Sequence, residues 1–147
     1  MINIGNYVSF NLPGSDGKNH RTEDYQGKVI VLYTYPKDLT PGCTNQACGF
    51  RNLNEEFKNH NAVILGLNKD SLKTHEKFVN KHQLSFPLLT DQDGELLNLL
   101  GALKDNKLMR NTYIIDEEGK LELALTQVKA SENPDDVLSY LKQRKSK

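Results

Sequence analysis

Two cysteines, Cys43 and Cys48, are the candidate redox residues of this chain. Cys43 follows a sequence typical of a helix start, in which Thr40 is the N-cap and Pro41 the first helical residue. The free N–H groups and the positive dipole end of a helix start favour an anion, so they favour the thiolate of Cys43 over the thiol. Because the thiolate is the nucleophilic form, we expect Cys43 to attack an electrophile rather than to fill the core.

The spacing of the two cysteines decides what they can do together. In an unbroken helix, five residues put two Cα atoms roughly 8–9 Å apart, whereas a disulfide needs them within about 7 Å. Cys43 and Cys48 can therefore pair only if the first turns of the helix unwind. The alternative is that Cys48 is a buried, inert cysteine, and the spacing alone favours neither. Gly42 would let a substrate oxygen approach the helix-start amides closely.

The histidines and Arg110 are the other residues whose side chains could bind a metal ion or an anion. The cysteines do not form a Cys-x-x-Cys motif, and with no close histidine pair they do not make a tetrahedral zinc site. His75 and His82 lie seven residues apart and are interpreted as ordinary surface histidines. Arg110 precedes a predicted strand and could hold a thiolate and a substrate oxygen through its forked donors. Taken alone, however, its position favours a solvated side chain at the rim.

Length, charge and hydrophobic content limit the classes of protein to which this chain could belong. The 147 residues suit a single domain, residues 1–147. Lys and Arg together number 19, as do Asp and Glu, so bulk charge gives no reason to expect nucleic-acid binding. No apolar run approaches the roughly 18 residues of a membrane span, and the N-terminus does not resemble a signal peptide, so we expect a cytoplasmic protein. The basic tail, residues 143–147, is interpreted as a solvated helix end.

Hydrophobic periodicity predicts an α/β fold with a mixed central sheet flanked by helices. A turn-rich segment, Pro13–Gly17, predicts an N-terminal β-hairpin. Strands are predicted at Val29–Tyr35, Ala62–Leu67, Phe86–Thr90, Thr112–Asp116 and Lys120–Val128. Helices are predicted at about Pro41–Asn59, after the cap Ser71, at Glu95–Leu100 and from Asn133.

The segment around Cys43 resembles a known family. Pro36, Thr40 and Cys43 fit the peroxiredoxin signature Pro-x-x-x-Thr-x-x-Cys. The longer run Tyr35–Thr44, with a second cysteine five residues after the first, is similar to the PrxQ branch, also called bacterioferritin comigratory protein. The resemblance extends along nearly the whole chain and includes Phe50-Arg51, Gly66, Lys69–Ser71, His75, Phe86–Asp91 and Arg110–Asp116.

The resemblance implies a thioredoxin-like fold and a thiol-dependent peroxidase that reduces hydrogen peroxide and organic hydroperoxides. It makes Cys43 the peroxidatic cysteine and Cys48 the resolving one. Thr40 and Arg110 would bind the sulfur and the peroxide, and Pro36 would shield the pocket. The Cys43–Cys48 disulfide would be reduced by thioredoxin or a similar dithiol, with no metal or organic cofactor. An intramolecular pair removes any chemical need for a dimer, so we expect a monomer.

One position departs from the family pattern, and two alternative functions stay open. The branch usually carries Glu where this chain has Gln46, and the resemblance implies that this Glu orients the active-site arginine. Gln46 still accepts a hydrogen bond but carries no charge, so we expect modestly altered kinetics. The alternatives are a redox-sensing interaction protein and a one-cysteine peroxidase in which Cys48 is structural.

Overall fold

A five-stranded mixed sheet forms the centre of the computed structural model, which describes residues 1–144. The chain passes through β1 (Asn11–Pro13), β2 (Asn19–Arg21), a 3₁₀ turn (Thr22–Tyr25), β3 (Val29–Thr34), α1 (Pro41–Asn59), β4 (Ala62–Asn68), α2 (Leu72–His82), β5 (Leu88–Thr90), α3 (Glu95–Leu99), β6 (Leu103–Lys104), β7 (Lys107–Leu108), β8 (Asn111–Ile115), β9 (Leu121–Leu125) and α4 (Asn133–Gln143). The predicted helix Pro41–Asn59 is confirmed at both ends.

The strand order in the central sheet is β5-β4-β3-β8-β9. β3 pairs in parallel with β4, and β4 with β5, whereas β8 is antiparallel to both β3 and β9. All six residues of β3 are buried, because helices and the N-terminal segment cover both faces of the sheet. The predicted α/β fold with a mixed sheet is therefore confirmed.

Two hydrophobic clusters fill the two faces of the sheet. Side chains alternate along β3, so that Val31 and Tyr33 face one cluster while Ile30 and Leu32 face the other. The first cluster packs against α1, α2 and α4, through Phe50, Phe57, Phe78, Val137 and Leu141. The second packs against α3 and the N-terminal segment. Helix α1 is thereby held on the sheet along a stripe that includes the buried sulfur of Cys43.

Two hairpins flank the central sheet. The predicted N-terminal hairpin is confirmed, with β1 and β2 antiparallel and three residues long each. A second hairpin, β6–β7, was not predicted, because strands of two residues show no periodicity. Its turn residues Asp105 and Asn106 both have left-handed backbones, with φ of 52° and 63°, a conformation that Asp and Asn tolerate well.

Two predictions about polar side chains are wrong. His75 is not a surface histidine: its side chain is fully buried, and both ring nitrogens have partners. Arg144 is not a solvated helix end, because its side chain is only 9% exposed and pairs with Glu117 and Glu122 at 2.6 and 2.7 Å. Within the same predicted tail, Gln143 is exposed, and residues 145–147 lie outside the described residues.

Among residues 1–144, no helix combines the length and apolar character that a membrane span needs.

Candidate active site

Cys43 lies in the first turn of α1, and its side chain is almost completely buried. Thr40 is the N-cap with an extended backbone, and its carbonyl accepts the first helical hydrogen bond, from the N–H of Thr44 at 2.8 Å. Helical geometry leaves the N–H groups of Gly42 and Cys43 without a partner inside the helix. The helix start therefore offers two backbone donors beside the sulfur, as the sequence predicts.

Arg110 reaches the sulfur because of the sheet topology. β8 runs antiparallel to β3 with Asn111 opposite Thr34, so the residue before β8 lies where β3 ends and the loop to α1 begins. Arg110 Nη2 lies 3.4 Å from Cys43 Sγ. A Cβ at Gly42 would lie 3.3 Å from the same nitrogen, so the missing side chain lets the guanidinium pack on the helix start. Arg110 is half-buried here, and is not the solvated rim residue that its position alone favours.

Gln46 fixes the other arm of the guanidinium. Arg110 Nη1 donates to Gln46 Oε1 at 2.7 Å, and Gln46 is completely buried. Because arginine only donates, Gln46 must turn its oxygen towards Arg110 and its amide nitrogen away. That nitrogen donates to Asn133 Oδ1 at 3.0 Å, and the hydroxyl of Thr112 donates to the same oxygen at 2.8 Å. The predicted ability of Gln46 to accept a hydrogen bond from the arginine is thus realised.

Asn133 is a site residue that sequence reasoning missed. The sequence indicated it only as the start of the last helix, yet its side chain is buried and connects α4 to Gln46. Its Nδ2 finds no hydrogen-bond partner among residues 1–144. No sequence signal could have shown this contact, because Gln46 and Asn133 lie 87 residues apart in the chain.

Thr40 caps α1 through its backbone and not through its side chain. Its hydroxyl donates to the carbonyl of Lys37 at 2.9 Å and makes no capping bond to the helix. With its proton engaged there, the oxygen keeps lone pairs that can accept a hydrogen bond from a bound molecule. Pro36, in the same loop, is exposed at the end of β3, and its shielding role stays a prediction.

Cys48 is half-buried on the same uninterrupted helix as Cys43, and both cysteines are free thiols in this structure. While α1 is intact, its geometry keeps the two sulfurs too far apart to form a disulfide, as the spacing predicts.

The hydroxyl of Tyr33, near Cys43, is buried without a hydrogen-bond partner in the described part of the chain. Burial raises the pKa of Tyr33 well above its usual value, with the nearby Cys43 adding to the effect.

The site is built from thiol, guanidinium, hydroxyl and backbone donors. Within residues 1–144, no group of three or more His, Cys, Asp or Glu side chains is arranged to hold a metal ion. A buried sulfur beside a guanidinium and free amides can act as a stabilised thiolate nucleophile, and the same donors can stabilise negative charge on a leaving oxygen.

Comparisons with known proteins agree with this chemistry. A profile of the AhpC/TSA family matches residues 5–124. Peroxiredoxin Bcp of Bacillus subtilis (strain 168) is 40% identical over 144 residues, which cover 92% of each chain. Among solved structures, a cysteine-to-serine mutant of Xylella fastidiosa PrxQ matches with a TM-score of 0.92 at 31% identity, covering 97% of this chain and 96% of that one.

A further solved structure is of a protein whose chemistry has been studied directly. The bacterioferritin comigratory protein of Xanthomonas campestris, studied for its alkyl peroxide reduction activity, matches with a TM-score of 0.89 at 31% identity. The match covers 97% of this chain and 96% of that one, which confirms the thioredoxin-like fold. The chain therefore belongs to the AhpC/TSA family and, within it, to the Bcp/PrxQ peroxiredoxins.

Proposed function

We propose that this chain, acting as a single domain over residues 1–147, reduces hydrogen peroxide and organic hydroperoxides with Cys43 as the attacking sulfur. Peroxiredoxins act on peroxides and are reduced by thiols, and the chain is a thiol-dependent peroxidase of that family. The observation that carries the assignment of Cys43 is its contact with the Arg110 guanidinium, 3.4 Å away, at a helix start.

In the first step, the Cys43 thiolate attacks one peroxide oxygen in line with the O–O bond. The S–O bond forms as the O–O bond breaks, the sulfur is oxidised to sulfenic acid, and the leaving hydroxide or alkoxide takes up a proton to give water or alcohol. Donors from Arg110, next to the sulfur, and the amides of Gly42 and Cys43 would stabilise this negative charge as it develops. Thr40 would accept a hydrogen bond from the peroxide and orient it.

In the second step, Cys48 attacks the Cys43 sulfenic acid, water leaves, and a disulfide forms. Because α1 is continuous through both cysteines, its first turns must unwind before this bond can form. Thioredoxin or a similar dithiol would then reduce the disulfide by thiol exchange. Since both sulfurs belong to one chain, a monomer in the cytoplasm is sufficient for the whole cycle.

A measurement of continuous peroxide consumption distinguishes this function from the redox-sensing alternative. The parent protein is expected to consume hydrogen peroxide continuously when supplied with thioredoxin, its reductase and NADPH. A redox-sensing interaction protein would instead be oxidised once, without continued NADPH consumption. Stoichiometric oxidation followed by no turnover with any dithiol reductant would contradict the peroxidase proposal.

Replacing Cys48 by serine tests its role as the resolving cysteine. Cys48→Ser is expected to lose most thioredoxin-supported turnover while still reducing about one equivalent of peroxide, because Cys43 is oxidised but finds no partner sulfur. NADPH oxidation measures the turnover, and mass spectrometry of the alkylated protein measures the oxidation state of Cys43. Thr44→Ser, a small change in the same helix, serves as the control. Recycling at the parental rate, with no disulfide in the parent, would favour the one-cysteine alternative.

Restoring a carboxylate at position 46 tests the effect of its charge. Gln46 already holds Arg110 at 2.7 Å, so the main effect of Gln46→Glu is a negative charge near the thiolate. Like charge disfavours the thiolate, so Gln46→Glu is expected to slow both peroxide reduction and the iodoacetamide labelling of Cys43 by up to about tenfold at neutral pH. The rate of peroxide reduction and the rate of labelling, each at one fixed pH, measure the change. Gln46→Met, which removes the hydrogen bonds without adding charge, is the control, and identical rates in Gln46→Glu and parent would contradict the expectation.

A further inference from the structure

A buried imidazole–carboxylate pair lies behind the loop that leads to Cys43. His75 of α2 is fully buried and the side chain of Asp38 is 2% exposed, with His75 Nδ1 2.5 Å from Asp38 Oδ2. The other ring nitrogen, Nε2, lies 3.1 Å from the carbonyl oxygen of Leu89. Because a carbonyl only accepts, Nε2 carries a proton, and the hydrogen bond to Asp38 needs a second proton between the two side chains. The peroxidase chemistry described above uses neither residue.

The remaining hydrogen-bonding positions of Asp38 are also occupied. Its Oδ1 accepts from the Tyr35 hydroxyl at 2.6 Å and from Asn68 Nδ2 at 3.4 Å. Burial raises the pKa of Tyr35 well above its usual value, so this hydroxyl stays a donor. The backbone N–H of Asp38 donates to Asp70 Oδ2 at 2.7 Å. Tyr35 follows β3, Asn68 ends β4 and Asp70 follows β4. Asp38 is therefore fixed to the edge of the sheet and, through His75, to α2, and not to α1.

The peptide between Lys37 and Asp38 connects the fixed side chain of Asp38 to the active site. The carbonyl of Lys37, bonded directly to the nitrogen of Asp38, accepts the hydrogen bond of the Thr40 hydroxyl at 2.9 Å. The one residue between Asp38 and Thr40 is Leu39, which is exposed and has a left-handed backbone with φ of 64°. A leucine keeps that conformation only where the flanking residues hold it. A fixed Asp38 therefore determines where Thr40 and the helix start lie.

We propose that Asp38 and His75 are positioning residues for the peroxide step: together they hold the Lys37–Asp38 peptide and, through it, Thr40 and the first turn of α1. The pair lies outside the first turns of α1, the segment that must unwind for disulfide formation, and it holds the loop that precedes that segment. This inference rests on the proposed peroxidase function and adds two residues to it that do not touch the peroxide.

The two chemical steps should respond differently when the pair is broken. Attack on the peroxide needs Thr40, the helix-start amides and the Cys43 sulfur preset in one arrangement, so loosening the loop slows it. Disulfide formation needs the first turns of α1 to unwind, so the same loosening does not slow it. A variant that merely destabilises the whole fold would not separate the steps in this way.

Two substitutions of similar shape at His75 test the proposal. Asparagine places an N–H donor near the position of Nδ1, so His75→Asn can keep the hydrogen bond to Asp38, whereas His75→Leu cannot; both lose the bond to Leu89. The second-order rate of Cys43 oxidation by hydrogen peroxide is measured by rapid quenching with an alkylating reagent and mass spectrometry. The same samples give the rate of disulfide formation. Val79→Ala, which removes core packing from the same helix, controls for general destabilisation.

We expect His75→Leu to slow oxidation at least tenfold, His75→Asn to stay within about threefold of the parent, and disulfide formation not to slow in either. Equal oxidation rates in His75→Leu and His75→Asn, or a loss in Val79→Ala as large as that in His75→Leu, would overturn the proposal. If His75→Leu does not fold, Asp38→Ala and Asp38→Asn give the same comparison, since the amide introduced by Asp38→Asn can still hydrogen-bond a neutral His75. A parent protein that reduces no peroxide would instead refute the peroxidase function itself.

Discussion

Replacing Cys43 by serine is expected to abolish peroxide reduction, with no residual turnover above the uncatalysed rate. A serine hydroxyl in the same place is not ionised near neutral pH and cannot form a sulfenic acid, so both the nucleophile and the first intermediate are lost. Serine is close to cysteine in size, so the buried position at the start of α1 should still be filled. Peroxide consumption with thioredoxin, its reductase and NADPH measures the loss.

The remaining cysteine serves as an internal control for the Cys43→Ser variant. Cys48 is half-buried on the same helix and should remain a free thiol that can be alkylated. An unchanged thermal unfolding midpoint and one alkylatable thiol would show that the fold survives. Measurable peroxidase activity in this folded variant would mean that Cys43 is not the attacking sulfur.

Replacing Arg110 by methionine is expected to lower the second-order rate of peroxide reduction by about 10²–10³-fold, the effect of removing one donor from a developing oxyanion, or about 2.7–4 kcal/mol. The guanidinium lies 3.4 Å from the sulfur and 2.7 Å from Gln46, so it combines a positive charge with a fixed direction. Methionine keeps much of the side-chain length and loses both properties. Single-turnover oxidation of Cys43 over a range of peroxide concentrations measures the rate.

A lysine at the same position separates charge from geometry. Arg110→Lys keeps the positive charge but lacks the planar fork that reaches Cys43 and Gln46 at once. It should therefore recover only part of the rate that Arg110→Met loses. A rate in Arg110→Met within threefold of the parent would contradict the role of Arg110 in the peroxide step.

The sequence was most informative where local chemistry decides the structure. The Thr-Pro-Gly start and the apolar stripe of Phe50 and Phe57 are sufficient to place α1, and the structure has this helix at Pro41–Asn59. Arg110 could be singled out because it precedes a strand. Its neighbour in space follows only from the antiparallel pairing of β8 with β3. Arg110 and Cys43 lie 67 residues apart, and no local pattern encodes that contact.

The burial of His75 and Arg144, two polar side chains, was missed by sequence reasoning. His75 lies three residues before Phe78 and therefore on the same face of α2, a signal that could have placed it inside. The spacing alone does not predict burial, because a buried histidine needs hydrogen-bond partners. Here the partners, Asp38 and Leu89, come from other elements of the fold. Arg144 was missed for the same reason: its carboxylate partners belong to the turn and strand that precede α4.

The fate of both sulfurs after one turnover tests the two-cysteine mechanism most directly. Cys43 and Cys48 fall on a single tryptic peptide, Asp38–Arg51, with no Lys or Arg between Lys37 and Arg51. After one equivalent of peroxide, alkylation and digestion, we expect this peptide to be unalkylated and two hydrogens lighter than its dithiol form, which identifies the intramolecular disulfide. A peptide alkylated at Cys48 and carrying oxygen on Cys43, with no disulfide form, would contradict the proposed unwinding of α1 and the Cys43–Cys48 disulfide.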